Sequence, residues 1–254
     1  MTFEKTLILG LIAGSTILLG LPIGRLSKPA PVLRQALNAV AVGILVFLVW
    51  DVLSAAWEPT SDALSTPGGA DWGPAIGYAL LLFAGLAVGL LALVGYERRL
   101  PRELTPDRLA MLIATGIGLH NFAEGLAIGQ AAATGAIALA VLLVVGFGLH
   151  NATEGFGIVA PLAGSGRPTW GRLLLLGAIG GGPTLLGTLI GYRFTSQPVS
   201  VVFLALAAGS ILYVVIQLIG VAARTRRTDI LAVGMVIGLI AGFVTDAIVT
   251  AGGV

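Results

Sequence analysis

Two ten-residue stretches, GIGLHNFAEG over residues 116–125 and GFGLHNATEG over residues 146–155, repeat the pattern G-x-G-L-H-N-x-x-E-G thirty positions apart. They contain both histidines of the 254-residue chain, His120 and His150, together with Asn121, Asn151, Glu124 and Glu154. On an α-helix, positions i and i+4 stack on one face and i+1 lies in the same sector. Each stretch therefore presents an imidazole, an amide and a carboxylate side by side. Imidazole and carboxylate donors suit zinc, iron(II), manganese and similar divalent ions. The chain has no cysteine, which removes thiolate metal sites, disulfides and Cys nucleophiles together and argues against copper(I). The bland alternative is polar glue between helices, worth about 0.6–2 kcal/mol per hydrogen bond. A duplicated six-residue pattern is more than glue requires.

The elements that must position these groups are membrane helices. Hydrophobic residues make up 57% of the chain and charged residues 10%, with a mean hydropathy of +1.00. Water-soluble domains carry roughly 25% charged residues, so the composition is that of an all-α integral membrane protein. An ionisable side chain at bilayer depth costs at least about 2.5–3.5 kcal/mol, which marks the two stretches as functional. About 20 apolar residues cross a bilayer. That ruler predicts eight spans, at residues 6–24, 34–54, 74–96, 107–130, 135–160, 171–193, 199–222 and 230–250. They form a single transmembrane domain over 1–254. Pro29, Pro31, Pro59, Pro67, Gly68, Gly69, Pro101, Pro106, Pro161, Pro168 and Pro198 punctuate the breaks. The run from Thr6 to Ile23 resembles a signal peptide after Lys5. Its length and the absence of an A-x-A site before Arg25 make it the first span instead.

Charge sorts by connection. Twelve of the fourteen Lys and Arg residues fall in the odd-numbered connections: Arg25, Lys28, Arg34, Arg98, Arg99, Arg102, Arg108, Arg167, Arg172, Arg224, Arg226 and Arg227. Lys5 and Arg193 are the exceptions. The positive-inside rule then puts those connections in the cytoplasm and both termini extracytoplasmic. The net charge of +2 and pI near 9.3 arise from this sorting and imply no nucleic-acid partner. The second connection, outside, carries Glu58, Asp62 and Asp71, with Asp51 at its edge. Spans four and five are joined by a short uncharged link, residues 131–134, so they are predicted to be antiparallel neighbours with their motifs at similar depth. Glycine pairs such as Gly125 with Gly129, and Gly187 with Gly191, have the small-x-x-x-small spacing of close helix packing.

The eight-span layout with H-N-x-x-E-G on spans four and five resembles the ZIP (Zrt/Irt-like) family of divalent metal transporters. The resemblance implies a 3+2+3 arrangement of helices, movement of metal toward the cytoplasm, a cell-membrane location and a homodimer. It implies a metal site of His120, Asn121 and Glu124 facing His150, Asn151 and Glu154, with spans 1, 4, 5 and 6 sliding against the others. Zinc is the expected cargo, with iron(II), manganese and cadmium as alternatives; no resident cofactor is expected. Three departures stand out. The proline that members carry two places after the Asn is replaced by Ala123 and Thr153, and Thr153 is expected to bond the carbonyl four residues back. The Glu-Pro of the sixth helix is matched by Gly182-Pro183, and a Glu after Tyr213-Val214-Val215 by Gln217. Both losses favour one metal ion over two.

Asp51 and Gln217 are candidate pathway residues: Asp51 as a collector of cations or a solvated helix end, Gln217 as a substituted pathway group or interhelical glue. Asp246 is read as an interfacial charge, and Trp50, Trp57, Trp72 and Trp170 as aromatic-belt residues. A metal site of this kind needs neutral imidazole and ionised carboxylate, so uptake is expected to weaken as pH falls. Two rival classes remain in view. A membrane metalloenzyme is disfavoured by having two histidines and no H-E-x-x-H. A sensor or structural protein would bind metal without flux.

Overall fold

A computed structural model of the chain describes residues 1–25, 31–99, 105–135, 137–162, 166–193, 196–224 and 226–251. Lys28, Pro29, Pro101 and Arg102 lie outside the described residues. The described residues form helices and turns. Helix α1 runs Phe3–Ser15, resumes after Thr16 as Ile17–Gly20 and closes with a 3-10 turn, Leu21–Arg25. It is followed by α2 (Pro31–Leu64), α3 (Trp72–Arg98), α4 (Pro106–Ala133), α5 (Ile137–Val159), α6 (Trp170–Arg193), α7 (Gln197–Ala223) and α8 (Thr228–Ala251). Among the described residues, seven helices are long and apolar enough to cross a membrane. The chain is a multi-pass membrane protein. Helix α5 itself has 23 residues.

Three boundaries differ from the sequence expectation. The first span is interrupted at Thr16, whose Oγ1 donates to the Ala13 carbonyl (2.6 Å) and competes with the helical ladder. The second helix continues to Leu64, ten residues past the predicted end, with Pro59 inside it. Packing holds this extension: Ala56 is buried with Leu82, Val201 and Ala205, and the Trp57 ring lies 6.5 Å from that of Phe83. A proline removes one N–H, and tertiary contacts here outweigh that loss. The α4–α5 connection also starts later than predicted, because α4 continues through Ala133 and stops at Gly135, whose φ of +84° suits only glycine at low cost.

Small residues set the helix partners. A Cβ added at Gly125 would overlap the Thr184 carbonyl, and one at Gly129 the Thr188 carbonyl. From the other side, a Cβ at Gly187 would strike the Phe122 carbonyl and one at Gly191 the Leu126 carbonyl. The two glycine pairs singled out in the sequence therefore pack on one another's helix, bringing the α4 and α6 backbones into contact. Similar seams join α1 to α6 (Gly14 with Gly181), α2 to α8 (Gly43 with Gly238) and α3 to α7 (Gly89 with Gly209). In lipid, where apolar burial cannot drive association, such close approach is a principal source of cohesion. Among the seven helices compared, α4 is the most enclosed, with 72% of its apolar window buried, against 22% for α3 and 17% for α8. The helix that carries the first motif is thus well enclosed.

Candidate metal centre

The two motifs meet. His120 and Asn121 are 1% and 0% exposed, Glu124 4%, Asn151 0% and Glu154 1%. The His150 side chain is 11% exposed, the most open of the six. His120 and Glu124 project from one face of α4, and His120 Nε2 lies 2.9 Å from Glu124 Oε1. Across the gap, His150 Nε2 on α5 hydrogen-bonds the same Glu124 Oε1. Glu154 reaches toward α4, its Oε1 3.8 Å from His120 Nε2. The two imidazole rings are 6.0 Å apart between centroids. Donor atoms of His120, Glu124 and His150 all lie within 4.8 Å of one another, close enough to share one cation.

The two asparagines are held by their amide nitrogens, which leaves their oxygens free. Asn121 Nδ2 donates to the Gly180 carbonyl on α6 (2.9 Å), one turn before Pro183. Asn151 Nδ2 donates to the Ala13 carbonyl on α1 (3.1 Å), at the break before Thr16. Thr153 Oγ1 bonds the His150 carbonyl, three residues back rather than four (2.7 Å). It tightens the turn that carries the histidine.

The remaining lone pairs define what the site can do. Asn121 Oδ1, Asn151 Oδ1, Glu124 Oε2, both Glu154 oxygens and both His120 nitrogens are buried without a hydrogen-bond partner among the described residues. Leaving one such atom unpaired costs about 1–3 kcal/mol, and native proteins keep few of them. Five of these atoms are oxygens that can offer a lone pair to a cation, and neutral imidazole adds one nitrogen lone pair, its other nitrogen carrying the proton. This is an oxygen and nitrogen donor set that fits a divalent transition metal. The structure thus brings His120, Glu124, His150 and Glu154 together, while the amide nitrogens of Asn121 and Asn151 turn to Gly180 and Ala13.

The other candidates lie elsewhere. Asp51 on α2 is within electrostatic reach of His120, His150 and Glu124, and of Asp246 on α8. Gln217 on α7 donates to Glu97 Oε2 on α3 (2.9 Å), which Tyr213 Oη also contacts at 3.1 Å. Gly182 lines a groove between α6 and α1 with Gly14, Ser15 and Leu18, and a Cβ there would meet nothing within 4 Å. Sequence reasoning missed the carbonyls of Ala13 and Gly180. Their signal was the local breakage around them, Gly14-Ser15-Thr16 and Gly180-Gly181-Gly182-Pro183.

Comparison with known proteins decides the kinship of this region. Residues 100–223, which include both motifs, match the family described as ZIP Zinc transporter. This stretch is similar to ZIP zinc transporters. Among curated relatives, the zinc transporter ZupT of Salmonella arizonae is 34% identical over 137 residues, 48% of this chain and 48% of its own length. ZupT of Escherichia coli K12 is 31% identical over 136 residues, again 48% of each chain. This chain spans about half the length of the curated relatives it matches. The ZIP resemblance drawn from H-N-x-x-E-G is borne out over that segment.

Proposed function

We propose that this protein carries divalent transition-metal cations across the cell membrane toward the cytoplasm, with zinc as the principal cargo and iron(II), manganese or cadmium as alternatives. One observation carries the reading: His120, Glu124, His150 and Glu154 converge from two helices in a buried cluster whose free lone pairs suit a cation. The ZIP match over this segment and the ZupT similarity support the choice of zinc and of transport rather than catalysis. Asn121 Oδ1 and Asn151 Oδ1 complete the donor set. The charge sorting supports eight crossings in a single transmembrane domain over 1–254, in the 3+2+3 arrangement, with both termini extracytoplasmic. A homodimer is the proposed assembly.

The cation approaches from the Asp51 side, where that carboxylate lies within electrostatic reach of the cluster, and exchanges water for protein donors. Gln217, tied to Glu97 in the last turn of α3, is assigned to the inner end. With glycine at position 182 and an amide at position 217, the donor set holds one ion. Release follows displacement of α1, α4, α5 and α6 relative to the other helices, an alternating-access scheme.

The test is zinc uptake into proteoliposomes by the intact chain and by Glu124→Ala and Glu154→Ala, with competition by iron(II), manganese and cadmium. Loss of uptake in both variants is expected. Undiminished uptake in both removes the site assignment, and saturable binding without flux in the intact chain replaces transport with sensing.

A further inference from the structure

The side-chain hydrogen bonds and ion pairs that join different helices sort into two sets. Asn121–Gly180, Asn151–Ala13, His150–Glu124 and Tyr192–Met1 tie α1, α4, α5 and α6 to one another. At one end of that set, Arg172 forks onto the Asp107 carboxylate (both bonds 2.7 Å), and Arg25 bonds the Pro168 carbonyl while stacking on Trp170. Asn38–Leu218, Glu97–Tyr213 and Glu97–Gln217 tie α2, α3 and α7, and the Phe47 and Trp50 rings pack on Phe243 of α8. The backbone-on-backbone glycine seams obey the same division. Between described residues, one side-chain hydrogen bond crosses it. Gln130 Nε2, in the last turn of α4, donates to Ser200 Oγ, in the first turn of α7, at 2.9 Å. Ser200 Oγ also faces Gln130 Oε1 at 3.4 Å.

Several other crossing contacts are smooth. Gly116 faces the Val214 methyl, Gly157 faces a Leu218 methyl, and the Phe122 and Phe203 rings meet at 5.2 Å. Dispersion contacts of this kind tolerate small slides. A hydrogen bond does not: beyond about 3.5 Å it is gone. The Gln130–Ser200 pair also borders a crevice of about 350 Å³ between α2, α4 and α7, lined by Glu58, Thr134, Gln197 and Leu204. Water there can take over both partners when the bond opens.

We infer that Gln130 and Ser200 form a latch between the two helix sets, one that holds the conformation seen here and opens in each transport cycle. The inference rests on the transport reading, and it assigns these two residues a positioning role apart from the metal site. A displacement of one set along the other by an ångström or so breaks the latch first, while every seam within a set is preserved.

The chain's lack of cysteine makes the test direct. The double variant Gln130→Cys with Ser200→Cys is reconstituted and treated with a short reversible bis-methanethiosulfonate linker. Uptake of zinc is expected to fall at least tenfold on linking and to recover on reduction, while Ser200→Cys alone keeps its uptake under the same treatment. Linked protein that transports at the unlinked rate overturns the latch, as does equal loss in the single variant. A second readout needs no transport. In Leu204→Cys protein free of metal, adding Gln130→Ala is expected to speed maleimide labelling at least threefold, and an unchanged rate overturns the latch. If the intact chain moves no zinc while this labelling rises, the transport reading fails and the latch stands.

Discussion

Replacing Glu154 by Gln separates a metal site from polar glue, because the two predict opposite signs in the metal-free protein. Neither oxygen of Glu154 has a hydrogen-bond partner among the described residues, the side chain is 1% exposed, and its nearest ionisable neighbour is His120 Nε2 at 3.8 Å. Glutamine keeps the shape and one oxygen but removes the titratable charge. Burying an uncompensated carboxylate is costly, so without metal the variant is expected to unfold at the same or a higher temperature. With metal the sign reverses. Losing one charge-assisted contact costs about 1.5–3 kcal/mol, which toward its upper end is about a 100-fold loss in affinity. Zinc at 100 times the original dissociation constant stabilises the parent by about 2.7 kcal/mol. After a 100-fold loss the same zinc stands at the new dissociation constant, and about 0.4 kcal/mol remains. Thermal unfolding in detergent across a zinc titration reads both quantities. An undiminished zinc-induced shift in Glu154→Gln refutes its role as a donor, and a variant clearly less stable without metal makes Glu154 structural instead.

Glu124→Gln is expected to behave differently, because Glu124 Oε1 already accepts from His150; the metal-free protein should lose about 1.5–3 kcal/mol as well as affinity, measured by the same titration. Asn121→Leu leaves the Gly180 carbonyl without its donor and is expected to cost about 1–3 kcal/mol in thermal stability, with Asn151→Leu similar through Ala13. Gly125→Ala drives a methyl into the Thr184 backbone and should cost about 1–3 kcal/mol by overpacking, whereas Gly77→Ala, in open space within α3, should gain about 0.5–1 kcal/mol from helix propensity. Protons compete with metal for His120 and His150, so zinc affinity by calorimetry is expected to fall as pH drops from about 7.5 to about 5.5.

Much of the site was legible before any fold was known. Helix geometry alone puts His120, Asn121 and Glu124 in one sector, and a repeat thirty residues later on an adjacent span leaves little choice but to face it. What the asparagines do was not legible. Their identity suggested ligands, yet each spends its amide nitrogen on a carbonyl of a helix distant in sequence, Gly180 or Ala13. The Ala13 carbonyl lies at the break before Thr16, and the Gly180 carbonyl lies three residues before Pro183. Pro59 misled for a related reason: a proline marks a break only where no tertiary contact carries the helix past it.

Composition and spacing by themselves determined that the chain is helical and membrane-embedded, roughly where its helices run, and which side chains are candidates to hold a cation. These follow from local rules, the length of a helix across lipid and the 3.6-residue turn. Only the tertiary structure decided which helices are partners, that α4 is well enclosed, and that Gln130 meets Ser200 across the division between two sets. In lipid an apolar face is equally at home against another helix or against acyl chains. Hydrophobicity therefore carries no partner information, and the pairing rests on where glycine lets backbones touch.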